Sequence, residues 1–391
     1  MSTSRLLAIS AALGLAAVAC SGQDSGSSPG SAGSKAAGGA GPNAGAGGST
    51  STPGGGGNAS TVGGGGSQAS GGGQTSSSGT GGATAGSAGS GGTGAGGKGS
   101  TGVGGAAGSA GVAGSGGSST GGVIPLKNPP VPSAGCGKAA TITSGKKTIT
   151  STSQQRTYII DIPANYDMNK PYRLFYTSHW ISSTSEAVRD QNYYFLKPLA
   201  TAANEPAIFI APQADGATWQ QKDHALFDDI LKYAKENLCI DTTRVFATGF
   251  SFGGMITYSL SLNHQKDIRA AVGIAPANYN IYIPTKTHAA IAWMQTTGMG
   301  DTTCPWVNGS STTQGAKFIA IEHGTDNGCS VPASIPTWQS GAHICYDIPG
   351  CTAEYPTKVC TFNGGHTNIA NDPGSSSNWI PTESWKFFTQ F

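Results

Sequence analysis

The chain has 391 residues, of which 62 are glycine, and its 22 Lys+Arg against 20 Asp+Glu leave a net charge of +2. So balanced a chain, with no cluster of Lys or Arg, excludes a nucleic-acid-binding surface. Glycine crowds into residues 21–122, a Gly/Ser/Ala/Thr stretch without an aromatic residue, which cannot bury enough apolar area to offset the entropy of ordering.

In chain order, "MSTSRLLAISAALGLAAVAC" comes first. One arginine, Arg5, precedes an apolar run too short to span a membrane comfortably, which is the pattern of an export signal. The run ends in small residues at Cys20. It resembles a bacterial lipoprotein processing site, which implies a lipid on Cys20, although Ala17 stands where leucine is commoner. Plain cleavage near Ala19 is the alternative. Ser21 after the cysteine resembles the outer-membrane pattern. Residues 1–20 are thus expected to be a signal and 21–135 a flexible tether that holds a catalyst away from a surface. Residues 136–391, which hold the aromatics and nearly all charges, are expected to be one folded domain, a monomer. The membrane enters only through the anchor. Beyond Cys20, seven of the 8 cysteines remain, and an exported chain oxidises such residues in pairs, which leaves one over.

Within the domain, "RTYIIDIP" (156–163), "YRLFYT" (172–177) and "AIFIAP" (207–212) read as strands. Residues 224–238 carry Leu226, Ile230, Ala234 and Leu238 on one helical face. "RVFATGF" (244–250) is a buried strand, followed by a helix over 253–263. A strand over 289–298, a helix over 315–324, a strand over 358–365 and a helix over 381–391, with Pro381 in its first turn, complete the series. Strands alternating with helices predict an α/β fold, a mainly parallel sheet covered by helices on both faces. Ligands of such sheets gather beyond the carboxyl ends of the strands.

At one of those ends lies "GFSFGG", a Gly-x-Ser-x-Gly pattern of Gly249, Ser251 and Gly253 between strand and helix. A reversal this tight presses backbones together, so its flanking residues must lack Cβ. The serine hydroxyl then stands at the head of the sheet, facing the amide donors of a helix N-terminus. A serine nucleophile needs a base, and the expected order is Ser, Asp, His. His366, in "CTFNGGHTN", follows a strand on a glycine-permitted loop and is the expected base. His343 is its rival, and His264 is expected on a helix surface. Asp301, in "QTTGMGDTTC", is the expected acid, with Asp326 as competitor. The amide of Phe252 and that of Trp180 or Ile181 are expected to hold an oxyanion, with His179 shaping the loop. His179, Trp180, Trp219, Tyr279 and Trp306 are candidates for substrate contact, with Trp293 beside them. No metal-ligand spacing occurs, and no cofactor or metal is expected.

Together "GCGK", "YIIDIPANYDMNKPYRLFY", "HW", "ENLCIDTTRVFATGFSFGGMITYSL", "NGC" and "GGHT" resemble the feruloyl esterase and acetyl xylan esterase group. This is carbohydrate esterase family one, especially its type D branch, and extracellular polyhydroxyalkanoate depolymerases are similar. The resemblance covers residues 134–391 and implies the α/β-hydrolase fold and metal-free cleavage of ester decorations on plant cell-wall polysaccharide. It puts nucleophile, acid and base on Ser251, Asp301 and His366, and the early "His-Trp-Leu-Gly-Gly" loop on His179, Trp180 and Ile181. Ser182 and Ser183 replace that loop's glycines. Family pairings imply disulfides from Cys136 to Cys239 and from Cys329 to Cys351. A bridge from Cys304 to Cys360 would clamp acid to base and leave Cys345 over. Feruloyl ester hydrolysis is the first expectation, with acetyl xylan or a hydroxyalkanoate polyester as alternative substrates. A carbohydrate-binding lipoprotein on an inactive hydrolase scaffold is the non-enzyme alternative. A peptidase on this fold would lack the usual lid or propeller insertion.

Overall fold

The computed structural model describes residues 124–391. The expected signal, the expected lipid site at Cys20 and most of the expected tether lie outside the described residues.

Continuous apolar runs make the centre of the sheet. Strands β3 (Tyr172–Ser178), β4 (Ile208–Pro212), β5 (Ile240–Phe250), β6 (Ala270–Ile274) and β7 (Ala292–Gly298) are buried along nearly their whole length, as strands covered on both faces must be. With β1 (Gly145–Ser151), β2 (Gln154–Asp161), β8 (Ile344–Asp347) and β9 (Thr357–Phe362) they form one nine-stranded sheet, in the order β1-β2-β4-β3-β5-β6-β7-β9-β8. The pairs from β4 through β9 are parallel, and antiparallel strands close both edges. This is the α/β-hydrolase fold.

Two apolar cores sandwich the sheet because successive side chains of each strand point to opposite faces. Leu174 and Tyr176 join Leu226, Phe227 and Ile230 of α3 (Lys222–Asn237) and Ile256 and Leu260 of α4 (Phe252–Ser261). Ile319 of α5 (Ala316–Asp326) packs on the same side. On the other face Phe175, Phe209 and Phe246 meet Phe387 and Phe388 of α6 (Trp379–Thr389). The ring of Phe175 lies 5.0–5.2 Å from those of Phe209, Phe246 and Phe388. Each such fully buried ring contributes about 1.5–3 kcal/mol.

Five elements lie where no element was expected: β1, β6, β8, α1 (Ser185–Asp190) and α2 (Asn192–Ala202). α2 opens with a backbone turn that sequence patterns do not signal. Asn192, Tyr193, Tyr194 and Phe195 all adopt positive φ, from 54° to 62°. A left-handed conformation costs about 1–2 kcal/mol for each residue that has a Cβ.

Ahead of Cys136, residues 124–135 run along the domain: Pro132 bridges Asp241, and Ser133 Oγ donates to the Leu238 carbonyl at 2.7 Å. Disulfides link Cys136 to Cys239 and Cys329 to Cys351. The first closes a separation of 103 residues, worth about 4–5 kcal/mol in a chain-entropy account. The expected bridge from Cys304 to Cys360 is corrected, as is an unpaired Cys345. Cys360 is bonded to Cys345, because β8 runs antiparallel to β9 and sets these two residues directly opposite each other. Cys304 is buried instead beside Met255, Ala277 and Tyr279.

Candidate active site

The end of β5 turns into α4 at Ser251, whose φ of 57° and ψ of −122° no L-residue adopts without strain. The glycines around it answer a demand for space. A Cβ on Gly249 would collide with the backbone of Gly253, and one on Gly253 with the carbonyl of Ser178 at the end of β3. The Ser251 amide donates to the Ile274 carbonyl at 3.0 Å, which fixes the reversal to β6.

The Ser251 hydroxyl donates to His366 Nε2 at 2.7 Å, and His366 Nδ1–H donates to Asp301 Oδ2 at 2.8 Å. Asp301 follows β7, and its side chain is fully buried. Its second oxygen accepts the amides of Thr303 and Cys304, each at 2.8 Å. Three donors on one carboxylate fix its orientation toward the imidazole. The loops bearing acid and base touch through glycines. Gly300 donates to the Gly364 carbonyl at 2.8 Å, and a Cβ on Gly298 would strike the carbonyls of Gly364 and Gly365. The Phe250 ring lies 4.8 Å from that of His366 and shields one face of the imidazole.

Phe252 is the first residue of α4, so its amide has no acceptor within the helix and is available at the serine. The loop after β3 turns over 180–183, where the Ser183 amide donates to the Trp180 carbonyl at 3.1 Å. Ser182 sits there at φ 54°, the left-handed conformation that glycine adopts freely. The loop thus keeps a glycine-like conformation without the glycine.

Sequence relatives match this whole domain. Feruloyl esterase D of Neurospora crassa is 30% identical over 275 residues, covering 66% of this chain and 91% of that protein. Feruloyl esterase C of Emericella nidulans is 31% identical over 265 residues, covering 66% of this chain and 90% of its own. The chain belongs to the feruloyl-esterase-like α/β-hydrolase family. The prolyl oligopeptidase family model also matches, over residues 213–310. A solved ferulic acid esterase from Anaeromyces mucronatus, in complex with ferulic acid, aligns at a TM-score of 0.41 with 16% identity, covering 63% of this chain and 89% of that one.

In this feruloyl-esterase-like hydrolase the expected aromatic and histidine residues divide between the core and the loops. His179 is fully buried. Its Nδ1–H donates to the Trp180 carbonyl at 2.7 Å, and its Nε2 accepts the Ala214 amide at 3.1 Å. Burial holds its pKa below the ordinary value, so it remains neutral. Trp219 is buried too, 4.6 Å from that ring, and donates to the His179 carbonyl at 2.7 Å. Both rings are buried inside the loop and support it, the shaping role expected of His179, so neither stands where a substrate contact was expected of it. Trp293 is likewise core, stacked on His323 at 4.4 Å. Tyr279 is buried, and its hydroxyl donates to the Thr303 carbonyl beside the acid. Trp180 and Trp306 are half-buried; Trp180 lies 6.2 Å from Phe250.

His343 pairs with Asp372 and lies flat on Trp379, and Asp326 pairs with His288. His264 was expected on a helix surface; it lies beyond the end of α4 and is buried, 5.2 Å from His224. Phe250 went unnoticed because its aromatic ring reads as one more apolar strand residue. Four cavities of about 270–500 Å³ lie elsewhere, and neither Ser251 nor His366 lines any of them. Among the described residues no cluster of three or more His, Cys, Asp or Glu is arranged to hold a metal, and no helix is long and apolar enough to cross a membrane.

Proposed function

We propose that the domain is a serine ester hydrolase that removes feruloyl or related acyl groups from plant cell-wall polysaccharide, in the type D-like branch of carbohydrate esterase family one. One observation carries the reading: His366 bridges Ser251 and Asp301 at 2.7 and 2.8 Å, with opposite ring nitrogens. In the first half-reaction His366 Nε2 takes the Ser251 proton as Oγ attacks the ester carbonyl. Asp301 holds the imidazole in the Nδ1–H tautomer and stabilises the imidazolium. The Phe252 amide and one from the 180–181 turn stabilise the oxyanion, each donor worth about 3–4 kcal/mol in a comparable site. The alcohol departs with the proton from His366. Water then cleaves the acyl-enzyme by the same route in reverse order.

The flat surfaces of Trp180 and Phe250 beside the serine suit an aryl acyl group, and the names of the sequence relatives agree with that choice. The matching experiment compares methyl ferulate, acetylated xylan and polyhydroxybutyrate with the purified chain and with Ser251→Ala. Release of ferulate by the parent alone supports the reading. Turnover confined to acetylated xylan or to the polyester reassigns the substrate. Retained turnover in Ser251→Ala removes the serine mechanism. A serine-directed phosphonate that leaves Ser251 unlabelled would instead favour an inactive binding scaffold. From the apolar run that ends at Cys20 we also propose an exported lipoprotein, and the mass of the mature N-terminal peptide tests whether Cys20 carries lipid.

A further inference from the structure

The left-handed turn at the start of α2 is costly and internal, and its contacts converge on the serine from three directions. The Tyr194 hydroxyl donates to the Ser178 carbonyl at 2.6 Å. Ser178 is the last residue of β3, paired with Gly249 of β5. Its carbonyl also abuts Gly253, so tightly that a Cβ there would collide with it. That carbonyl belongs to the peptide that launches the 179–183 loop. Tyr194 is itself buried, and the Phe250 backbone, one residue before the serine, partly offsets the upward push of burial on its phenol. On the other side, Gln191 Oε1 accepts from Asn368 Nδ2 at 2.7 Å, two residues beyond His366.

From these contacts we infer that Gln191 and Tyr194 form a positioning bracket. Tyr194 sets the direction of the Ser178 peptide and hence of the oxyanion amides at 180–181. Gln191 ties the loop carrying His366 to the same turn. Both are positioning residues, not catalytic ones. The positive-φ residues Asn192 and Tyr193 lie between Gln191 and Tyr194, itself at φ 56°, so the turn fixes the direction of one contact relative to the other. The inference rests on the roles proposed for Ser251, Asp301 and His366.

The test uses the full chain and a short-chain aryl ester. In Tyr194→Phe, kcat is expected to fall about tenfold or more with KM within about twofold. The acid limb of the pH–rate profile should stay in place, because the base is untouched. Tyr193→Phe is the control: its ring belongs to the same turn and stacks on Phe209 at 4.9 Å, but its phenol interacts with Asp161. It should turn over like the parent. Gln191→Ala, at a half-buried position, gives a second arm should Tyr194→Phe not accumulate, with an expected fall in kcat of about threefold to tenfold. Parental kcat in Tyr194→Phe, or an equal loss in Tyr193→Phe, would overturn the bracket. Where only Gln191→Ala can be purified, parental kcat in that variant overturns it too. Phosphonate labelling of Ser251 in the parent separates such a result from failure of the hydrolase reading itself.

Discussion

The molecule contains two buried-edge histidine–aspartate pairs with the same 2.8 Å contact, His366 with Asp301 and His343 with Asp372. They differ in everything around that contact. His366 presents its second nitrogen to a serine hydroxyl on a strained reversal. His343 lies face to face on Trp379, ring centroids 3.8 Å apart, and its backbone amide donates to the same carboxylate oxygen as its ring. The first pair leaves the second ring nitrogen facing a hydroxyl. The second stitches the segment before β8 to the start of α6. An imidazole–carboxylate contact is therefore no site by itself; what the other nitrogen faces decides.

The largest effects should break the symmetry between the pairs. Ser251→Ala or His366→Ala is expected to lower kcat by about a millionfold, as in comparable triads, whereas His343→Ala should leave kcat within about twofold; steady-state kinetics on an aryl ester read both. Asp301→Asn should cost about ten-thousandfold in kcat with little change in fold, because the amide favours the wrong imidazole tautomer. Gly253→Ala drives a methyl into the Ser178 carbonyl and should lower stability by about 1–3 kcal/mol along with activity, measured by urea unfolding and by kinetics on the same sample.

A third class of histidine sharpens the contrast at acid pH. Burial lowers the pKa of His323 to about 4, and burial followed by repulsion from His264 lowers that of His224 to about 4. A depressed pKa means that the unfolded chain binds the proton first. The stability from each neutral imidazole is complete above about pH 6.5 and lost as pH falls towards 4. For His323 the full effect is about 3 kcal/mol, and unfolding free energies measured across that window should flatten in His323→Gln. The smallest effect belongs to the stitch: Asp372→Asn should cost about 1 kcal/mol in thermal stability and leave turnover intact.

Much of the site was legible because each member of the Ser251, Asp301 and His366 set announces itself locally. The three contact one another across 65 and 115 residues, yet each sits on a turn whose glycines are demanded by the backbone beside it. Helices α3 to α6 and strands β3, β4, β5 and β7 followed from runs and periodicity in the same way. The aromatic candidates fared differently. A tryptophan in a loop reads alike whether it faces solvent or seals a core, so nothing local distinguished Trp219, buried against His179, from half-exposed Trp180.

The amino-acid order by itself determined the alternation of buried strands and helices, the strand–serine–helix reversal and the succession Ser, Asp, His, since each is written within about a dozen neighbouring residues as periodicity or as a missing Cβ. Only the tertiary structure decided that Cys360 bonds Cys345, that His179 and Trp219 support the loop from inside, and that Gln191 meets Asn368 across 177 residues. Those outcomes depend on strand register and on which faces meet after collapse, quantities that belong to pairs of distant segments and are encoded in neither segment alone.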